Sequence, residues 1–173
     1  KVEAGGKVTT AVLEDGSVLV GGEAPDKNTY TLTFDSELDA ASGLRLEVLT
    51  DDKLPRRGPG RAENGNFVVT ELVLSRAGKP LRFSWASADH QQDGWPVAAA
   101  FDGKAETGWA IAAATPEATN VNRSAVFHLE TPASGKGPWT LKIDQQFGQK
   151  HTLGRFRVSL RRFAGGGDLA TGR

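Results

Sequence analysis

The chain has 173 residues and no Cys, and its 21 Lys and Arg residues balance 21 Asp and Glu residues. This neutrality gives no electrostatic argument for binding nucleic acid or an anionic membrane. The absence of Cys excludes disulfides, thiolate metal sites and a Cys nucleophile. No apolar run approaches the roughly 20 residues that a membrane span needs, so we expect no membrane span.

Strand-like runs separated by turn signals follow one another along the chain. They cover residues 8–13, 17–20, 29–34, 44–49, 67–75, 81–86, 125–129, 140–146 and 155–161. Between the first two runs, Asp15 and Gly16 predict a hairpin, because Gly tolerates the positive φ that such turns require. Apolar and polar residues alternate in several of these runs, which is typical of antiparallel sheets with one buried face.

These patterns predict an all-β fold, an antiparallel jelly-roll β-sandwich. We expect one module over residues 1–163 and a Gly-rich tail or linker over residues 164–173. The chain starts at Lys1 without Met, so we expect a piece of a longer chain with neighbouring domains. Inward strand positions predict a core of large apolar residues: Phe34, Leu46, Val48, Val69, Phe83, Phe101, Phe127, Leu141, Phe156 and Val158.

Two parts of the chain are weakly similar. Each part has the order strand, long loop, strand, loop with Gly-Arg, strand. The first part has its strands at residues 29–34, 44–48 and 69–75 and its loop at Gly60-Arg61. The second part covers residues 125–160 and has its loop at Gly154-Arg155. One sandwich built from two similar halves is our interpretation, although convergent β patterning explains the similarity equally well.

An Asp-Gly-x-x-x-Thr-x-Trp motif runs from Asp102 to Trp109. It resembles the signature loop of discoidin-like, galactose-binding-like β-sandwich modules, in which that loop wraps a structural calcium. The resemblance implies a Ca²⁺ site, and its expected ligands are Asp102, the Lys104 carbonyl, Thr107, the Thr70 carbonyl and Glu71. In the family the Glu strand follows the loop, whereas Glu71 precedes it here. A solvated Asp-Gly turn beside an ordinary surface Glu is the alternative.

Loop residues of types suited to sugars lie near this motif. Carbohydrate sites pair aromatic faces with amide, carboxylate and guanidinium groups. The candidate ligand-binding residues are Arg61, His90, Gln91, Trp95 and Trp109. The alternatives are a structural Ω-loop over residues 58–67 and tryptophans that plug the ends of the sandwich.

Catalysis has little support in the sequence. The three His residues have no metal-ligand spacing, and neither a Gly-x-Ser-x-Gly elbow nor a phosphate-binding Gly-rich loop occurs. We therefore expect no enzyme.

A longer resemblance covers roughly residues 8 to 162. The segments Gly58-Pro-Gly-Arg, Asn64-Gly-Asn-Phe, Gly94-Trp-Pro-Val and His151-Thr-Leu-Gly-Arg-Phe resemble a region of large planctomycete proteins with haem c-type cytochrome segments. This resemblance implies a secreted or periplasmic protein in a polysaccharide-rich setting. No Cys-x-x-Cys-His motif for attaching haem occurs in this chain. We expect a non-catalytic module that binds a polysaccharide or other glycan and holds a structural Ca²⁺. A spacer or protein-docking β-sandwich is the alternative.

Overall fold

The structure is a computed structural model that describes residues 1–134 and 136–163. The predicted tail, residues 164–173, lies outside this part of the chain. The described strands are β1 (Val2–Ala4), β2 (Val8–Val12), β3 (Val18–Gly22), β4 (Asn28–Phe34), β5 (Ala40–Val48), β6 (Val68–Val69), β7 (Glu71–Arg76), β8 (Lys79–Pro80), β9 (Phe83–Ala88), β10 (Trp109–Ala110), β11 (Arg123–Ser134), β12 (Trp139–Gln145) and β13 (Arg155–Arg161). The helices are short: two 3₁₀ helices, Pro55–Arg57 and Val97–Phe101, and α1, Pro116–Thr119.

The strands form two antiparallel sheets that pack as a sandwich, which confirms the predicted all-β, jelly-roll-like fold. The five-stranded sheet has the order β1-β4-β12-β7-β8, and the six-stranded sheet has the order β2-β3-β13-β5-β11-β9. Strands β6 and β10 form a separate pair. Within the described residues, no helix is long and apolar enough to span a membrane.

The core lies between the two sheets and takes alternate residues from each strand. Seven of the ten predicted core residues are buried, among them Leu46, Phe127 and Leu141. The other three, Phe34, Phe101 and Val158, are half-buried and pack against the cluster. Period-two burial of this kind follows from the pleat, which turns successive side chains to opposite faces of a sheet.

The predicted strand over residues 67–75 is broken at Thr70. The Thr70 N–H donates to the Asp144 carbonyl (2.9 Å). Its hydroxyl donates to the same carbonyl (2.9 Å) and accepts the Gln146 N–H (3.1 Å). The chain therefore leaves its pairing with β10 at Thr70 and enters the five-stranded sheet as β7.

The two similar halves interleave in space. The first half contributes β4 and β7 to the five-stranded sheet and β5 to the six-stranded sheet. The second half contributes β12 to the five-stranded sheet and β11 and β13 to the six-stranded sheet. The result is two matching trios, β4-β12-β7 and β13-β5-β11, each with a central strand from the opposite half. Neither half completes a sheet by itself.

The two Gly-Arg segments meet where the halves cross. Gly60 forms an antiparallel bridge with Leu153, and the Gly154 N–H donates to the Pro59 carbonyl (2.7 Å). The Arg61 N–H donates to the Thr152 carbonyl (2.8 Å). A Cβ at Gly60 would lie 1.9 Å from the Asn66 carbonyl oxygen, so only Gly fits this approach.

The predicted hairpin at Asp15 and Gly16 joins β2 to β3, and Gly16 has a φ of 79°. Asp15 Oδ1 accepts the Ser17 N–H (2.9 Å) and the Ser17 hydroxyl (2.6 Å). Asp15 Oδ2 accepts a hydrogen bond from Arg155 Nη2 (2.8 Å). The hydrogen bonds from Ser17, helped by the Arg155 charge, lower the pKa of Asp15 from 3.8 to about 2.

We predict that Asp15→Asn lowers stability in a pH-dependent way. A carboxylate whose pKa is depressed by folding adds stability above its unfolded pKa and loses it as pH falls through the folded value. The loss of stability should therefore be constant above pH 3.8 and shrink as pH falls towards about 2. Urea denaturation of parent and variant across this range is the measurement. A difference that stays the same at every pH would contradict the role of the Asp15 charge.

Candidate functional site

The loop after the second 3₁₀ helix closes on itself through Asp102. Asp102 Oδ1 accepts the Lys104 N–H (3.0 Å), and Asp102 Oδ2 accepts the Thr107 hydroxyl (2.5 Å). The same hydroxyl lies 3.5 Å from the Lys104 carbonyl oxygen. These contacts place a carboxylate, a hydroxyl and a carbonyl oxygen within one short turn.

Glu71, at the start of β7, lies against this loop although it precedes it by some thirty residues in the sequence. Glu71 Oε2 accepts the Gly103 N–H (3.0 Å). Burial raises the pKa of Glu71, and the negative charges of Asp102 and Asp144 raise it further, while the Gly103 hydrogen bond opposes them. The carboxylates of Glu71 and Asp102 are therefore close enough to repel each other.

The predicted calcium ligands are thus brought together in part. The side chain of Thr70 is buried and its hydroxyl is engaged by Asp144 and Gln146, so only its carbonyl is left for the role predicted for it. Among the described residues, no three His, Cys, Asp or Glu side chains form a group that would hold a metal. The oxygens beside Asp102, from two carboxylates, a hydroxyl and a carbonyl, are nevertheless the types that Ca²⁺ takes.

Arg61 has a structural role instead of the predicted ligand role. It is 7% exposed, and its guanidinium donates to the carbonyls of Glu23 (2.9 Å) and Gly22 (3.0 Å). These two bonds attach the Gly-Arg segment to the end of β3. The fork that we expected to hold a sugar group is therefore occupied by backbone.

Trp109 likewise belongs to the core and not to a ligand surface. It is fully buried, its indole Nε1 donates to the His90 carbonyl (3.1 Å), and it packs edge-on against Phe67 (5.2 Å between ring centroids). The alternative of a tryptophan that plugs the sandwich is correct for this residue. Gln91 is exposed, but its Oε1 accepts the Val97 N–H (3.0 Å) at the start of the second 3₁₀ helix.

Trp95 is the predicted aromatic that remains near the surface. It is half-buried and lies edge-to-face with Phe147, with ring centroids 5.2 Å apart. Phe147 is 40% exposed, and His151 lies 4.8 Å from it. We call Trp95, Phe147 and His151 the aromatic cluster. Phe147 is not among the residues predicted from the sequence, although an aromatic residue beside Gly148 in a loop is the same signal that singled out Trp95 beside Gly94.

A surface depression of about 370 Å³ adjoins the aromatic cluster at His151. Its other lining residues are Arg56, Ala62, Glu63, Asn64 and Gln149. Arg56 and Gln149 have left-handed backbones, with φ of 55° and 54°. Non-Gly residues in this region cost energy and concentrate at ligand sites. Asn64 Oδ1 accepts the Asn66 N–H (3.1 Å), as expected of an Asn that caps its own turn.

Comparisons of the chain with family models, with curated proteins and with solved structures find no match.

We predict that Arg61→Lys destabilises the fold. The ammonium of lysine donates from one nitrogen and cannot reproduce the geometry of two guanidinium nitrogens that each reach a separate carbonyl, and hydrogen bonds from charged groups contribute about 1.5–3 kcal/mol each. We expect a loss of about 2 kcal/mol in the free energy of unfolding. The matched control is Arg56→Lys at an exposed position, which should change stability by less than about 0.5 kcal/mol. Equal effects of the two substitutions in urea denaturation would contradict the structural role of Arg61.

Proposed function

We propose that this chain is a non-catalytic carbohydrate-binding module whose ligand lies on the aromatic cluster and the adjoining depression. The observation that carries the proposal is the pairing of the half-buried Trp95 with the exposed Phe147 beside a strained polar depression. The resemblance to exported planctomycete proteins supports a secreted or periplasmic setting within a longer chain.

The chemistry of the two surfaces suits a sugar. Aromatic rings pack against the apolar face of a pyranose, and a few polar groups fix its hydroxyls. Here the rings are Trp95 and Phe147, and the polar groups are Arg56, Glu63 and Asn64. The proposed site is the one that the sequence predicted near Trp95. In this proposal the guanidinium that binds the sugar belongs to Arg56 and not to Arg61.

We also propose a structural Ca²⁺ at the Asp102 loop. The carboxylates of Asp102 and Glu71, the Thr107 hydroxyl and the carbonyls of Lys104 and Thr70 would hold it. A bound cation supplies positive charge that offsets the repulsion between the two carboxylates. The bound ion would then hold the loop against the start of β7. Thr70, just before β7, accepts a hydrogen bond from the N–H of Gln146, the residue before Phe147.

We predict that Trp95→Ala and Phe147→Ala each weaken polysaccharide binding several-fold, because each removes an aromatic face. Affinity electrophoresis in gels that contain hydroxyethylcellulose, xylan, galactan, polygalacturonate or dextran sulfate is the measurement. Val12→Ala is the control, since Val12 is 66% exposed and is not part of the site. If no gel retards the parent protein, the spacer or docking alternative replaces this proposal.

We predict that Ca²⁺ raises the melting temperature relative to EDTA, and that Asp102→Asn abolishes the difference. A ligand that binds only the folded state stabilises it by about 2.7 kcal/mol at one hundred times its dissociation constant. An identical melting curve of the parent in both conditions would count against the site.

We predict that Glu71→Gln removes the effect of the Glu71 charge on stability while it leaves the fold intact. The raised pKa of Glu71 means that its ionisation costs stability as pH rises from 4.5 through the folded pKa. In EDTA the parent should therefore lose stability over that window, while Glu71→Gln should not. In Ca²⁺ at neutral pH only the parent should gain stability. A variant that responds to Ca²⁺ as the parent does would exclude Glu71 as a ligand.

A further inference from the structure

A depression of about 420 Å³ lies on the outer face of strands β2 and β3, and we call it the β2–β3 depression. Val20 is buried in the core, so its neighbours Leu19 and Gly21 face outward and form the floor. Thr9 and Ala11 lie opposite them on β2. A Cβ at Gly21 would lie 2.9 Å from the Thr9 hydroxyl oxygen, so the glycine keeps the floor open.

The walls of the depression combine apolar and charged groups. They come from the end of β3, from residues 53–55 before and within the first 3₁₀ helix, and from Arg61. Leu54 is buried and packs on the backbone at Gly154, where a Cβ would lie 2.5 Å from its Cδ2. The volume lies within the roughly 300–1,000 Å³ of small-molecule sites, and apolar walls suit the carbon skeleton of an organic ligand.

Arg61 brings a buried positive charge to this wall. The residue is 7% exposed, and its guanidinium donates to the carbonyls of Glu23 and Gly22. These carbonyls take two of its five N–H groups and carry no net charge. Burial raises the pKa of Tyr30, and the nearby charge of Arg61 opposes that rise, so the phenol stays neutral. A buried charge without a counter-charge costs free energy, which an anion at this wall offsets.

The carboxylates of the neighbouring segments each face a cation of their own. The pairs are Glu23 with Lys7 (3.8 Å), Asp52 with Arg57 (2.7 Å) and Asp51 with Arg155 (3.6 Å). Lys53, which is exposed, lines the depression together with Arg61. Within the part of the chain that the structure describes, neither cation has a carboxylate partner, and no Asp or Glu lines the depression. The charges of the walls therefore favour an anion.

We infer that the β2–β3 depression binds an organic carboxylate of the size of a hexuronate. The Lys53 ammonium contacts the carboxylate, and the charge of Arg61 attracts it. The ring carbons lie against Leu19 and Leu54, and the Thr9 hydroxyl bonds to a ring substituent. No lining residue is shared with the aromatic cluster or the depression beside it, so this inference goes beyond the proposed function and does not depend on it.

The test is isothermal titration calorimetry of the whole chain with galacturonate, and with galactose as the matched neutral ligand. The two sugars differ only in the group at the end of the ring, a carboxylate in the first and a hydroxymethyl in the second. Galacturonate should bind at least several-fold more tightly than galactose. Added NaCl should weaken the binding of galacturonate, because salt screens the attraction of the two cations.

Two variants with matched controls locate the site. Lys53→Gln should weaken galacturonate binding about two- to fivefold, the range of one exposed ion pair. Lys79→Gln removes an exposed ammonium from β8 and should have no effect. Ala11→Leu should abolish binding, because the larger side chain fills the floor of the depression. Val12→Leu should not, since Val12 pairs with the buried Val18 and faces the other side of β2.

Several results would overturn the inference. It is wrong if the parent does not bind galacturonate, or if galactose binds equally well. It is also wrong if Lys53→Gln binds like Lys79→Gln and Ala11→Leu binds like Val12→Leu. Displacement of galacturonate by equimolar sulfate would identify an inorganic oxyanion as the occupant instead. Trp95→Ala should leave galacturonate binding unchanged, so a loss of polysaccharide binding in that variant concerns the proposed function alone.

Discussion

The crossing of the two Gly-Arg segments is the constraint on which the rest of the structure depends. Backbone hydrogen bonds join Pro59 to Gly154 (2.7 Å) and Arg61 to Thr152 (2.8 Å). Around them, the Tyr30 hydroxyl donates to the Leu153 carbonyl (2.8 Å), and the Leu153 N–H donates to Gln145 Oε1 (2.6 Å). Buried backbone groups must find partners, and here two loops and both sheets satisfy one another. The crossing therefore sets how the halves of the sandwich meet.

The proposed binding surface inherits its shape from this crossing. The loop before Leu153 carries Phe147 and His151, and the loop after Gly60 carries Asn64. Asn64 of one loop and His151 of the other both line the depression. Positioning residues on a fixed scaffold limits the entropy lost on binding. The left-handed backbone at Gln149 lies between two local hydrogen bonds, from the His151 N–H to the Gly148 carbonyl (3.1 Å) and from the Thr152 N–H to the Lys150 carbonyl (2.8 Å), which hold the path of the loop.

The alternation of apolar and polar residues along the strands made most of the fold predictable from the sequence. The directions in which individual loop side chains point were not predictable. Long strands and the Asp15 hairpin have periodic or turn signals, but β8 and β10 have two residues each and no period to detect. Trp95 and Trp109 both lie in Gly-rich segments, and the family resemblance favoured Trp109 as the core ring; the structure places Trp109 in the core and Trp95 near the surface. The sequence suggested Glu71 as a partner of the Asp102 loop only through a family resemblance whose Glu strand lies after the loop instead of before it. In the structure the Gly103 N–H donates to Glu71 Oε2.

The central claim is that a glycan covers Trp95, and tryptophan fluorescence tests it directly. Trp109 and Trp139 are fully buried, so in a Trp85→Phe variant the accessible fluorescence comes from Trp95. Quenching of that variant by acrylamide should be measured with and without the polysaccharide that retards the parent most strongly. The account predicts that the polysaccharide protects Trp95 and lowers the quenching constant. An unchanged quenching constant at a saturating concentration would contradict it.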